Sequence, residues 1–125
     1  MADNQLQKII DHMNQIFLGQ DAVVNYIVCA LLARGHILLE GVPGVGKTLI
    51  GLSISRLLNL SFKRVQFTND LLPSDITGFH TVMNPSGEFN LVKGPIFASI
   101  VLADEINRTS PKTQSALLEA MEERK

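Results

Sequence analysis

The chain has 125 residues, 46% of them hydrophobic and 18% charged, with a formal net charge of −1. This suits one globular domain with a core of its own, and it offers no basic footprint for nucleic acid. The single cysteine, Cys29, excludes an internal disulfide, and no apolar run approaches the ~20 residues needed to span a bilayer. The polar opening "MADNQLQKII" carries no signal-peptide pattern. Cys29 sits in the apolar run "YIVCALLA" and is expected to be a small buried hydrophobe, which fits a reduced, cytoplasmic setting.

Leu6, Ile9, Ile10, Met13, Ile16 and Phe17 recur at helical spacing, so residues 4–18 are expected to form an amphipathic helix ended by Gly19. Asp21 is placed to cap a second helix that runs to about Arg34 and stops at Gly35. Apolar residues lie nearly all round this helix, which predicts burial on every side. "HILLE", His36–Glu40, reads as a short central strand. A glycine-rich segment follows, then a helix from Lys47 to about Leu58. "FKRVQF", Phe62–Phe67, reads as a second strand, and "TNDLLPSDITG" as a loop holding one helical turn. Two extended runs between Phe79 and Val92 flank the turn signal "NPSG", which predicts a β-hairpin. "IVLAD" is the third core strand. Ser110 followed by Pro111 has the form of an N-cap and first helical residue, and Gln114, Leu117, Leu118 and Met121 give the closing helix one apolar face. Strands alternating with helices imply an α/β layered fold with a mostly parallel sheet, from which the hairpin projects as an insertion.

"GVPGVGKT" matches G-x-x-x-x-G-K-S/T from Gly41 to Thr48. Gly41, Gly44 and Gly46 permit positive φ and close backbone approach, so that successive N–H groups can face phosphate oxygens. The helix that starts near Lys47 directs its positive end at the same anion. Lys47 can reach the β- and γ-phosphates, and the Thr48 hydroxyl can sit on Mg²⁺. The expected nucleotide-binding residues are therefore Gly41, Val42, Pro43, Gly44, Val45, Gly46, Lys47 and Thr48, with Leu49 beside them. A glycine-rich turn that binds nothing is the bland alternative. The placement between an apolar run and a helix argues against it.

"IVLADE" sets Asp104 at the C-terminal end of an expected strand, where ligands bind in open α/β sheets. An acid there can hold Mg²⁺ through a water. Glu105, one residue further, can polarise an attacking water toward the γ-phosphate. Asp104 is thus a candidate metal residue with Thr48, and Glu105 a candidate catalytic residue with Lys47. The plainer alternative is two solvated acids opening a loop. His12, His36 and His80 lack metal-ligand spacing. Lys63 and Arg64 are expected on an ordinary strand face. Arg108 is either a surface arginine or a residue that reaches a neighbouring subunit.

"LLEGVPGVGKT", "QFTNDLLPSDITG" and "GPIFASIVLADEINRTSPKTQSALLEAMEE" together resemble, in order and spacing, the MoxR group of AAA+ ATPases, over roughly Gln15 to Lys125. The resemblance implies a P-loop NTPase fold of three layers, α/β/α, and one partial AAA+ nucleotide-binding domain across 1–125: N-terminal helices at about 4–34, phosphate loop at 41–48, hairpin insertion near 79–92 and a Walker B segment at 100–105. It implies ATP and Mg²⁺ as ligands, and a homo-oligomeric ring that remodels or matures protein complexes, often beside partners with von Willebrand factor A domains. "FLGQ" lies where that family places a segment near the adenine, which adds Gly19 and Gln20 to the expected nucleotide contacts. The hairpin would be a contact for a client or neighbour.

Full members of that family continue with a strand bearing a polar sensor, an arginine finger for the next subunit and a helical lid with a sensor arginine. The sequence stops at Lys125, before any of these, so these residues alone are not expected to hydrolyse ATP efficiently. In the family's strand order, a strand after Lys125 separates "HILLE" from "SIVLAD", so both are expected to expose an unpaired edge. A non-catalytic nucleotide-binding or interaction module is the alternative function. A small-molecule kinase is disfavoured because Glu105 suits water and no acceptor motif accompanies it.

Overall fold

The structure is a computed structural model that describes residues 2–16, 21–40, 46–82 and 85–123. The chain divides into two compact units, Met1–Leu58 and Asn59–Lys125, each described by itself below.

The first unit contains three helices, α1 (Ala2–Ile16), α2 (Asp21–Leu32) and α3 (Lys47–Leu57). The periodicity of α1 works as expected: Met13 is fully buried and Leu6, Ile9 and Ile10 are partly covered, while Gln7, Lys8, Asp11 and His12 face water. α1 packs against both α2 and α3. Val24, Ile27 and Val28 of α2 and Ile50 and Ile54 of α3 are buried. Gly19 lies outside the described residues, as does the side chain of Asp21.

Three expectations for α2 are corrected. α2 is not buried all round, since Tyr26 and Leu32 are exposed. Cys29 is exposed as well. One stripe of the helix meets its neighbours, and apolar residues beyond that stripe stay at the surface whatever their hydropathy. The helix stop is also shifted by one residue. Arg34, not Gly35, takes the left-handed conformation, at φ 55°. Arg34 N–H bonds the Leu31 carbonyl at 3.1 Å and Gly35 N–H that of Ala30 at 2.8 Å, the paired bonds of a Schellman ending.

Residues 36–40 form no strand. The described ladders pair β1 with β4 and β2 with β3, without this segment. Its apolar side chains differ in cover: Leu38 is 70% exposed and Leu39 is partly covered.

In the second unit β1 (Phe62–Gln66) pairs in parallel with β4 (Ile100–Asp104). The register runs from Phe62 opposite Ile100 to Gln66 opposite Asp104. Period-two alternation then sorts the side chains. Val65, with Phe67 just beyond β1, turns to a core shared with Ile76 of α4 (Pro73–Thr77), against which Leu71, Ile96, Val101, Ala103 and Leu117 pack. Arg64, Gln66, Leu102 and Asp104 share the opposite face. α4 is the expected single turn; its Asp75 carboxylate accepts from the Leu72 N–H at 2.9 Å.

β2 (Gly78–Val82) and β3 (Phe89–Lys93) form the expected antiparallel hairpin. Met83 and Asn84 at its tip lie outside the described residues, and Gly87 closes the turn at φ 77°. α5 (Pro111–Glu123) opens as expected, with Thr113 N–H donating to Ser110 Oγ at 3.4 Å. Its apolar face is narrower than expected: Leu117 joins the core but Leu118 is exposed. No helix among the described residues is long and apolar enough to cross a membrane.

Candidate functional site

The first unit holds the end of the glycine-rich segment. Gly41, Val42, Pro43, Gly44 and Val45, and likewise Gly19 and Gln20, lie outside the described residues. Gly46 stands at the N-cap of α3 with φ 82° and ψ 25°, a left-handed conformation natural to glycine. An added Cβ there would meet nothing within 4 Å, so the glycine serves the backbone turn and open space, not packing. α3 receives no side-chain cap and carries no acid in its first turn. The first ladder bond runs from Ile50 N–H to the Gly46 carbonyl at 3.0 Å. The N–H groups of Lys47, Thr48 and Leu49 thus precede the ladder and need acceptors from outside the helix. Lys47 is partly exposed, and Thr48 and Leu49 are exposed. A helix start with N–H groups ahead of its ladder, a positive dipole end, a cation and a hydroxyl is suited to an anion.

The second unit holds the two acids. Asp104 ends β4, and its carbonyl accepts from Phe67 N–H at 2.9 Å, which ties the strand end to β1. Its carboxylate is not open: Arg64 Nη2 contacts Oδ2 at 2.7 Å. Glu105 leaves the strand with φ 55° and ψ 46°, a left-handed conformation in a residue other than glycine. Its carbonyl accepts from Arg108 N–H at 3.0 Å, starting the 3₁₀ turn Ile106–Arg108. Its carboxylate pairs with Arg108 Nη1 at 2.9 Å. Thr68, Asn69, Asp70 and Arg108 line an open polar cleft of about 380 Å³. The first three follow β1 and Arg108 follows β4, so the cleft lies beyond the carboxyl ends of the parallel strands.

Asp104 and Glu105 are therefore placed together, each with an arginine. Arg64 was expected on a plain strand face and is corrected to a partner of Asp104. Alternation alone puts residues 64 and 66 on one face of β1, but only the pairing with β4 shows which acid they face. Arg108 contacts Glu105 of its own chain.

Each unit by itself carries a hard oxygen of the type that Mg²⁺ takes, the Thr48 hydroxyl in the first and the Asp104 carboxylate in the second. Among the described residues no group of three or more His, Cys, Asp or Glu forms an all-protein cage.

The sequence profile of the ATPase family associated with various cellular activities (AAA) matches residues 36–125. The chain is 54% identical over 118 residues to the protein YeaC of Bacillus subtilis (strain 168), covering 94% of this chain and 37% of that protein. It is 47% identical over 119 residues to Chaperone MoxR1 of Mycobacterium tuberculosis (strain ATCC 25618 / H37Rv), covering 95% and 32% respectively. The crystal structure of an inferred ATPase from Cytophaga hutchinsonii ATCC 33406 superposes with a TM-score of 0.76 at 45% identity, over 96% of this chain and 36% of that one. The chain thus spans about a third of the length of the relatives it matches.

Proposed function

The chain belongs to the ATPase family associated with various cellular activities (AAA), in its MoxR branch, and we propose that it binds ATP with Mg²⁺ as the nucleotide-binding part of an ATP-driven chaperone. The observation that carries the reading is the helix start at Gly46–Leu49: uncapped, without acids, opened by a left-handed glycine and led by Lys47 and Thr48.

In this reading the segment Gly41–Leu49 holds the phosphates through its backbone N–H groups, which all but Pro43 possess, with Gly19 and Gln20 beside the base. Lys47 compensates charge on the β- and γ-phosphates. Thr48 and Asp104 would supply oxygen to the cation, which when bound would neutralise charge developing on the phosphates. Glu105 orients a water and takes up its proton during attack on the γ-phosphorus. The bond from the γ-phosphorus to the β–γ bridging oxygen breaks, and ADP and inorganic phosphate are the products.

At the level of the whole protein, the proposal extends to a homo-oligomeric ring that uses turnover to remodel or mature client complexes, with von Willebrand factor A domain proteins as one class of partner. The hairpin suits contact with such a client, since Phe79, Val82 and Phe89 are exposed on it. No nucleic-acid role is proposed.

Lys47→Ala tests the reading. Removing the cation leaves phosphate charge poorly compensated, and ATP affinity is expected to fall at least about tenfold, the worth of a lost charge-assisted bond. Calorimetric titration of folded protein is the measurement, and unchanged affinity would sink the phosphate assignment.

A further inference from the structure

Arg64 and Asp104 lie on adjacent parallel strands, with Arg64 beside Leu102 and Asp104 beside Gln66 in the register. The guanidinium therefore reaches diagonally along one sheet face to the strand end. It makes one contact, Nη2 to Oδ2 at 2.7 Å, and not the two-pronged grip that arginine can make on a carboxylate. The acid is the more enclosed partner: its side chain is 24% exposed and that of Arg64 42%.

These features describe a detachable counter-charge. Asp104 sits where a carboxylate gains from a nearby cation, and Arg64 supplies one on a long side chain that can be displaced. A divalent cation on the same carboxylate would be a like charge beside the guanidinium, and the two would repel in a partly enclosed site. Arg64 has an open path to water, because it is the exposed end of the pair.

We propose that Arg64 is an internal stand-in for the metal: it holds the Asp104 carboxylate when no divalent cation is bound, and it must swing away for one to enter. The inference rests on the reading of Asp104 as a metal residue. Its consequence is a lowered affinity for the cation. An arginine that stayed in place to orient the carboxylate would raise that affinity, so the two roles differ in sign.

The test is Mn²⁺ binding to the full-length protein with ADP present, read from the paramagnetic resonance of free Mn²⁺ and independent of turnover. Arg64→Gln is expected to bind Mn²⁺ about fivefold more tightly, the scale of a partly exposed ion pair removed from the competition. Arg64→Lys keeps the charge and the aliphatic stem, and should fall between Arg64→Gln and the parent. On an Asp104→Asn background the Arg64→Gln gain should vanish. Equal or weaker Mn²⁺ binding in either variant, with parental circular dichroism and urea unfolding, overturns the stand-in role. If the parent with ADP binds no Mn²⁺, the metal reading of Asp104 falls first and this inference with it.

Discussion

Gly78 and Gly94 stand back to back at the base of the hairpin. A Cβ on Gly78 would lie 2.7 Å from the Gly94 nitrogen, and a Cβ on Gly94 would lie 2.6 Å from the Gly78 nitrogen. Each would also come within 2.1 Å of a backbone carbonyl oxygen, that of Val92 or Ile76. Gly78 has in addition φ 92° and ψ −179°, a region open in practice to glycine alone. Gly78→Ala is therefore expected to destabilise by roughly 3 kcal/mol or more, through strain and a clash with backbone that cannot rotate aside. Urea unfolding measures it. A change below about 1 kcal/mol would show that the strand base is laxer than this geometry requires.

Thr113 is fully buried, and its hydroxyl donates to the Leu71 carbonyl at 2.8 Å, which fastens the start of α5 to the segment before α4. Thr113→Val keeps the shape and strands the carbonyl. The expected loss is about 1–2 kcal/mol in the same unfolding assay, with Thr113→Ser recovering part of it. If Val were tolerated without loss, the contact would be incidental to stability.

The left-handed backbone of Glu105 makes an unusual prediction about which substitutions the fold accepts. Glu105→Gly should leave stability within about 1 kcal/mol of the parent, since relief of strain offsets the greater freedom of the unfolded chain. Glu105→Val should cost about 1–2 kcal/mol, because a β-branched residue resists this conformation. The reverse order by thermal unfolding would contradict the geometry at this residue.

The two acids should separate in function. Glu105→Gln keeps the shape and removes the base, so in the full-length protein ATP binding is expected to persist while turnover falls by about 10²–10⁴. Asp104→Asn is expected to weaken nucleotide binding in the presence of Mg²⁺ and to leave metal-free binding nearly unchanged. Paired titrations with Mg²⁺ and with a chelator resolve the two. Equal turnover by Glu105→Gln and the parent would remove Glu105 from the catalytic role.

Local chemistry was legible in the sequence wherever the physics is local. The stripe Leu6, Ile9, Ile10, Met13 fixed the face of α1, Ser110 and Pro111 fixed the start of α5, and "NPSG" marked the hairpin. The helix that opens at Lys47 after Gly46 was readable because a left-handed glycine before a helix is a backbone requirement, independent of distant neighbours. Tertiary structure decided what depends on a partner across the chain. "HILLE" has the composition of a strand, but strand is a state of a pair, and the parallel ladder formed between β1 and β4 without it. Burial of α2 followed which stripe met α1, which leaves Cys29, Tyr26 and Leu32 outside. Arg64 carried no sign of its role, because its partner is 40 residues away and the contact exists only in one register of two strands. Spacing along a chain encodes periodicity and caps. The meeting of one side chain with another across a sheet is encoded in no short window, since it is the product of pairing, register and face together.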